Sequence, residues 1–233
     1  MHEHQNRVSR RDLLRGTAGA VAFTFVPTHV LGLAGSQSAN EKLNVAAIGI
    51  GGMGAANLSG CESENIVALC DVDDAYAAKV FNKYPNAKKY KDFRVMLDKE
   101  DKNIDAVIIA TPDHTHAVTA MACLKHRKHV YCQKPLAHSI YEVRKLTEAA
   151  REAKVQTQMG NQGHSSEEIR LLCEWIADGA IGPIREVYTW SDRPVGGDPW
   201  SDFPIMARPK DTPPVPATLD WDLWLGPAPY RPY

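Results

Sequence analysis

The sequence lacks several features that mark specialised classes of protein. Its 233 residues contain no internal repeat and no low-complexity tract, and a hydrophobic content of 44% is ordinary for a globular protein. The formal net charge is only −1, so there is no excess of either sign to attract nucleic acid or an anionic membrane surface. We therefore expect no nucleic-acid partner.

Cysteine usage argues against two further classes. The five cysteines are odd in number and form no C-x-x-C motif. Cys70 and Cys132 lie in apolar runs, which is typical of small buried core residues. The sequence thus predicts neither a disulfide framework nor a zinc site.

The first 39 residues carry signals of export. Ser9, Arg10 and Arg11 form a twin-arginine pattern, and a weakly apolar stretch over 16–33 follows it. This arrangement resembles a Tat signal, and the stretch is too broken for a membrane span. It predicts recognition by the Tat translocon and a periplasmic or otherwise exported protein. The alternative is a basic leader without a signal function.

The rest of the chain is organised around N-V-A-A-I-G-I-G-G-M-G, residues 44–54. The apolar run 45–48 predicts a buried parallel strand. Gly49, Gly51 and Gly54 follow with G-x-G-x-x-G spacing, which permits a tight turn, close approach of a pyrophosphate and close packing of the next helix. The N-terminal N–H groups of that helix would face the phosphates.

A second apolar run, 66–70, ends at Asp71, which lies 20 residues after Gly51. That spacing is typical of a carboxylate that binds a ribose of a dinucleotide. The alternative is a glycine-rich turn in an ordinary α/β protein. Because a carboxylate at Asp71 would repel a 2′-phosphate, the sequence predicts NAD rather than NADP. Lys79 in the following helix is a cation that could weaken this preference.

From Lys42 onward, strand and helix signals alternate. This alternation predicts an α/β fold with a doubly wound parallel sheet, whose ligand binds at the carboxyl ends of the strands. Asp92 and Ser139 are the predicted helix caps. The predicted strands are 43–49, 65–70, 104–110, 128–132 and 154–159, with a short one near 89–90; the predicted helices are 52–60, 73–83, 92–99, 114–126, 139–153 and 165–178.

Three polar motifs follow predicted strands. In T-P-D-H-T-H (111–116), Pro112 ends the strand and Asp113 or Thr115 can cap the next helix. The two histidines lack an obvious third ligand, so capping or contact with a nicotinamide ribose is favoured over metal binding. The motif at 158–164 offers amides and an imidazole, and its alternative is a polar loop.

The remaining motif is Y-C-Q-K-P (131–135), at the end of the predicted strand 128–132. Its Lys134 would lie over a cofactor, where it could polarise a hydroxyl or carbonyl group. Burial would favour its neutral form and permit proton transfer. A surface lysine is the alternative.

Together these motifs resemble the glucose–fructose oxidoreductase/inositol dehydrogenase family (Gfo/Idh/MocA). The resemblance implies a Rossmann domain that binds NAD(P) and a second domain, an open mixed sheet, that carries a sugar or cyclitol-type substrate. Some relatives use bound NAD transiently in glycoside cleavage. The residues that carry the resemblance are G-I-G-G-M-G (49–54), C-D-V-D (70–73), A-T-P-D-H-T-H (110–116), Q-K-P (133–135), M-G-N-Q (159–162) and W-D-L-W-L-G-P-A-P (221–229).

The resemblance assigns a catalytic role to Lys134, which matches the family lysine that contacts the nicotinamide ribose and the reacting hydroxyl. Gln133 replaces the usual glutamate and so removes a nearby negative charge. No metal ligand is implied. The candidate cofactor-binding residues are Gly49, Gly51, Gly52, Met53, Gly54, Asp71, Thr111, Pro112, His116, Gln133, Lys134 and Gln162.

The expected organisation is a leader at 1–39, an NAD(P)-binding domain at 40–162 and an incomplete substrate domain at 163–233. The family takes its catalytic Asp and His from a stretch beyond the W-D-L-W-L-G-P region, and this chain stops at Tyr233 before such a stretch. Ten of the fifteen prolines lie within 194–232, and the tail has few helix or strand signals except at 185–190. We expect a fragment of a longer enzyme, with a tail at 193–233 that is poorly ordered or packed on exposed apolar surface.

The favoured function is that of an exported NAD(P)-dependent oxidoreductase. It would transfer a hydride between nicotinamide and a sugar or cyclitol-type hydroxyl, and would be a homo-oligomer when full length. Two alternatives stay open: an NAD-dependent glycosidase of the same family, and a nucleotide-binding fragment without catalysis.

Overall fold

Six parallel strands form the centre of the fold, in the spatial order β3-β2-β1-β4-β5-β6. The structure, a computed structural model, describes residues 41–190 and 211–233. The twin-arginine pattern and part of the predicted tail lie outside these residues. Of the described residues, 43–190 and 211–233 belong to one compact unit.

Strands and helices alternate along the chain, as the sequence predicts. The strands are β1 (Asn44–Ile48), β2 (Asn65–Cys70), β3 (Lys88–Tyr90), β4 (Ala106–Ile109), β5 (His129–Gln133) and β6 (Thr157–Gly160). The helices are α1 (Gly52–Ser59), α2 (Asp74–Lys83), α3 (Phe93–Glu100), α4 (His116–Lys125), α5 (Ile140–Ala153), α6 (Glu167–Ala177) and α7 (Trp221–Leu225).

The strand order confirms the predicted doubly wound sheet. The chain moves outward from β1 to β3 and then returns to β4 on the other side of β1, so the order reverses between β1 and β4. In open α/β sheets, a crevice forms at the carboxyl ends of the two strands that flank such a reversal. The fold thus directs the loops after β1 and β4 to one place.

Each face of the sheet has its own apolar core. Val45 and Ala47 of β1 point to the core that includes Leu58 and Phe81, whereas Ala46 and Ile48 point to the opposite core. This follows from the alternation of side chains along a strand. Cys132 is fully buried, and burial raises the pKa of its thiol to about 12. All five cysteines are free.

Two of the predicted helix caps are confirmed and one is wrong. Asp92 accepts a hydrogen bond from the N–H of Arg94 at 2.8 Å, and Ser139 accepts one from the N–H of Glu142 at 3.2 Å. Neither Asp113 nor Thr115 caps α4. The hydroxyl of Thr115 instead donates to the carbonyl oxygen of Pro112 at 2.8 Å, which closes the turn after β4.

The last part of the chain differs from the sequence signals in two respects. Residues 185–190 form no strand, and Trp221–Leu225 is a helix capped by Asp220, which accepts from the N–H of Leu223 at 3.0 Å. Leu225 is only 2% exposed, so this part of the tail packs against the sheet domain. Among the residues described, no helix is both long and apolar enough to cross a membrane.

Candidate functional site

The loop between β1 and α1 adopts a conformation that needs glycine at two positions. Gly49 has φ of +76°, and a β-carbon there would lie 2.7 Å from the backbone of Ala110 and Thr111. A β-carbon on Gly54 would lie 1.9 Å from the carbonyl oxygen of Gly49. The structure therefore places Gly49 in the tight turn and Gly54 at the close contact between helix and strand.

Gly51 faces a side chain that sequence reasoning missed. Its backbone is extended, with φ of −75°, but a β-carbon there would lie 2.0 Å from a ring carbon of Tyr76. Tyr76 stands on the first turn of α2, and its side chain is 65% exposed. The ring covers the side of the loop that a pyrophosphate would approach.

Asp71 is fixed by the backbone around it. One carboxylate oxygen accepts hydrogen bonds from the N–H groups of Ile50 at 2.8 Å and Gly51 at 3.3 Å, and the other accepts from Asp73 N–H at 3.0 Å. The residue is only 8% exposed. Because a carboxylate offers about four lone-pair sites, one acceptor position is left for a ligand.

A cavity of about 910 Å³ opens at the carboxyl ends of β1, β2 and β4. Among the residues that line it are seven of the predicted cofactor-binding residues and several from the end of the chain. The predicted ones are Gly49, Gly51, Gly52, Met53, Asp71, Thr111 and Pro112; the others include Val72, Tyr76, Lys91, Trp221, Trp224 and Tyr233.

Thr111 lines this cavity and carries an unpaired hydroxyl group. Its hydroxyl oxygen is buried and has no hydrogen-bond partner within the described part of the chain. A buried polar atom without a partner is costly, by about 1–3 kcal/mol. A ligand hydroxyl or phosphate oxygen would satisfy it.

Both histidines of the 111–116 motif bind protein atoms rather than facing the cavity. His116 is 1% exposed, and its Nδ1 and Nε2 lie 2.6 Å and 2.8 Å from the carbonyl oxygens of Pro135 and Thr111. His114 Nε2 lies 3.0 Å from the carbonyl oxygen of Trp224. His116 is thus a link between the loops after β4 and β5. Within 41–190 and 211–233, no group of three His, Cys, Asp or Glu side chains could hold a metal ion.

The remaining predicted residues lie at the ends of β5 and β6, outside the cavity lining. Lys134 is exposed, which differs from the expected burial, and its peptide bond to Pro135 is cis. Gln133 is 6% exposed, and its amide packs against Gly160 with Nε2 unpaired. Gln162 Nε2 donates to Tyr131 Oη at 3.1 Å.

The structure also identifies Lys91 as a cation that lines the same cavity as Asp71. Its Nζ forms an ion pair with Asp74 at 2.9 Å, and Lys91 lines the cavity, whereas Lys79 is exposed and lies outside it. The position of Lys91 directly after β3 is the sequence signal that could have identified it, since β3 ends at the same edge of the sheet.

Comparison with known proteins agrees with this geometry. The family model GFO_IDH_MocA, described as "Oxidoreductase family, NAD-binding Rossmann fold", matches residues 43–161, slightly more than half of the chain. The matched region ends at Asn161, just after β6, and contains every strand of the sheet.

Individual relatives match the same region. A myo-inositol 2-dehydrogenase from Thermotoga maritima is 30% identical over 60% of this chain and 42% of its own length, and an inositol 2-dehydrogenase from Rubrobacter xylanophilus is 33% identical over 61% and 42%. The crystal structure of a myo-inositol 2-dehydrogenase from Lactobacillus plantarum has a TM-score of 0.57 and 25% identity over 61% of this chain and 43% of its own. The matched part thus spans less than half the length of these relatives.

Proposed function

Since the chain belongs to the GFO_IDH_MocA oxidoreductase family of NAD-binding Rossmann folds, we propose that its cavity binds NAD and that the protein oxidises or reduces a cyclitol or sugar-type alcohol. The observation that carries the proposal is the meeting of the glycine loop, Asp71 and Thr111 at one cavity. Relatives named as inositol dehydrogenases support the substrate class.

The residues present fit a dinucleotide in three respects. The cavity volume lies within the range of small-molecule sites, about 300–1,000 Å³. Gly51 provides a surface without a β-carbon, once the exposed Tyr76 ring rotates away. Thr111 provides a buried hydroxyl without a partner, and Asp71 a carboxylate with acceptor capacity left.

Each group has a defined task in this proposal. The N–H groups at the start of α1 hold the pyrophosphate, with support from the helix dipole. Asp71 accepts from one adenosine ribose hydroxyl at its remaining acceptor position and excludes a 2′-phosphate, which favours NAD over NADP. The bound cofactor supplies the hydride chemistry. Lys134, at the end of β5, exchanges a proton with the reacting hydroxyl, and His116 positions the loop that carries it.

The test is an NADH-formation assay on the purified protein with NAD and either myo-inositol or a panel of sugars. A parallel titration measures NADH binding, with Gly51→Ala as a control that should weaken binding. Cyclitol-dependent NADH formation would support the full proposal. Binding without turnover of any alcohol would leave only the nucleotide site, and absence of binding would refute it.

Export is a separate part of the proposal, and it depends on Ser9, Arg10 and Arg11. Because the Tat machinery recognises the arginine pair, the double substitution Arg10→Lys, Arg11→Lys should retain the protein in the cytoplasm. Cell fractionation of the two forms in the native host is the measurement. Equal amounts of both proteins outside the cytoplasm would refute the Tat assignment.

A further inference from the structure

The C-terminal segment, residues 211–233, is attached to the loop after β2. The N–H of Asp74 donates to the carbonyl oxygen of Thr218 at 3.1 Å, and the N–H of Asp220 donates to that of Val72 at 2.9 Å. These bonds flank an antiparallel bridge between Asp73 and Leu219. The segment thereby extends the backbone hydrogen bonding directly beside Asp71.

The same segment is also attached to the loop after β4. His114 contacts Trp224 twice, through its Nε2 at 3.0 Å from the carbonyl oxygen and through its ring, whose centroid lies 5.1 Å from that of the indole. Leu225 is 2% exposed. The segment therefore spans the crevice from the end of β2 to the end of β4.

At and after these attachments, three aromatic side chains of the segment line the cavity. Trp221 and Trp224 are stacked, with ring centroids 4.8 Å apart, and Tyr233 packs edge-on against Trp221 at 5.2 Å. All three line the cavity that also contains Asp71. The outer face of such a stacked indole pair is a flat apolar surface of the kind on which nucleobases stack.

We propose that the C-terminal segment forms the outer wall of the adenosine half of the nucleotide site, with its indole pair against the adenine. This inference rests on the proposed function. Asp71 identifies the half, because the carboxylate at this position binds the ribose that carries the 2′-hydroxyl distinguishing NAD from NADP. Lys134, the residue expected to contact the nicotinamide ribose, does not line this cavity.

The contribution of this segment to binding is tested with two fragments of NAD. ADP-ribose carries the adenosine half of the cofactor, and nicotinamide mononucleotide carries the nicotinamide half. Trp221→Leu keeps an apolar side chain but removes the aromatic face, so affinity for ADP-ribose should fall about tenfold or more, with nicotinamide mononucleotide unaffected. The matched control is Trp175→Leu on α6, since Trp175 is 56% exposed and does not line the cavity. It should change neither affinity.

A second measurement needs no variant. Hydrogen exchange of the unmodified protein should show residues 216–226 protected by ADP-ribose but not by nicotinamide mononucleotide. ADP-ribose that binds without protecting this segment, or that binds a folded Trp221→Leu variant as tightly as the parent, would overturn the inference and leave the proposed function intact. Failure of the unmodified protein to bind any of NAD, NADH and ADP-ribose would overturn both.

Discussion

The ring of Tyr76 lies against the Cα of Gly51, so close that a β-carbon at Gly51 would be 2.0 Å from a ring carbon. The absence of a side chain at Gly51 thus has two consequences in one place: it accommodates Tyr76 in the free protein, and it would accommodate a pyrophosphate in the complex. The two occupants exclude each other, and Tyr76 is exposed enough to give way.

This relationship predicts different effects of alanine at two glycines. Gly51→Ala should lower the free energy of unfolding by less than about 1 kcal/mol, because an exposed ring can rotate, and Tyr76→Ala should abolish that loss. Nucleotide affinity should fall at least about tenfold in both backgrounds, since the methyl group blocks the pyrophosphate. Urea unfolding and NADH titration measure the two effects.

Gly54→Ala is the control for Gly51→Ala, both with Tyr76 present and in the Tyr76→Ala background. Its β-carbon would meet the backbone oxygen of Gly49 at 1.9 Å, so no side-chain change can relieve the contact. A loss of about 1–3 kcal/mol, unchanged by Tyr76→Ala, is expected. Two results would contradict the role of Gly51 as the place that accommodates either Tyr76 or a pyrophosphate. One is an equal loss of unfolding free energy for Gly51→Ala and Gly54→Ala, and the other is nucleotide binding by Gly51→Ala at parental affinity.

Cofactor preference should depend on Asp71. Its carboxylate is held by three backbone N–H groups and therefore cannot turn away from a 2′-phosphate. We expect tighter binding of NADH than of NADPH, and Asp71→Ser should reduce the ratio by about tenfold or more, the scale of a hydrogen bond to a charged group. Fluorescence titration with both nucleotides measures it. Lys79→Ala, at an exposed residue that does not line the cavity, should leave the ratio unchanged, and a parental preference for NADPH would contradict the argument.

The buried carboxylate of Glu100, which contacts the edge strand β3, should make the stability of the fold depend on pH. Lys88, Tyr90 and Asn103 donate hydrogen bonds to Glu100 and lower its pKa from 4.5 to about 2. Because the folded pKa is depressed, the stabilisation is fully present above about pH 4.5 and is lost as the pH falls toward 2. Burial and the hydrogen bond to Glu100 correspondingly raise the pKa of Tyr90 to about 12.

Glu100→Gln should therefore lower the melting temperature at neutral pH, and the difference from the parent should shrink as the pH falls from 4.5 toward 2. Circular dichroism across this range provides the measurement. Glu62→Gln is the matched control, because Glu62 pairs with Lys83 at the exposed surface, where ion pairs contribute little. A melting-temperature difference for Glu100→Gln that is independent of pH would contradict this explanation.

The glycine turn, Asp71 and the alternating elements could be predicted from sequence because each depends on residues close together in the chain. The contact between Lys91 and Thr218 could not, since it joins residues 127 positions apart. Helix α7 had local signals, Asp220 before it and Gly226-Pro227 after it, but the surrounding prolines obscured them. The role of His116 depends on which loop follows the neighbouring strand, so its residue type gave no indication of it.

His116→Phe tests the link between the two loops. Phenylalanine fills a similar volume but leaves the buried carbonyl oxygens of Thr111 and Pro135 without this partner, so a loss of at least about 1–3 kcal/mol is expected. Chemical denaturation measures it. His114→Phe, whose position is less buried, should cost less. Equal stability of His116→Phe and the parent would show that the link contributes nothing.

Lys134 lies at the end of β5 with its side chain exposed, and within residues 41–190 and 211–233 its ammonium group forms no hydrogen bond or ion pair. A surface lysine without a role in the reaction could be replaced by methionine with no change in turnover. If it exchanges a proton with the reacting hydroxyl, Lys134→Met should lower turnover by about 10²-fold or more, the scale of a positioned acid or base. NADH affinity should stay close to that of the parent, because the pyrophosphate and the adenosine ribose are held by the glycine loop and Asp71. Lys79→Met, which replaces another exposed lysine but on helix α2 rather than at the end of a strand, should retain full turnover. Steady-state rates of NADH formation separate the cases, and a Lys134→Met rate within a few-fold of the parent would remove this residue from the mechanism.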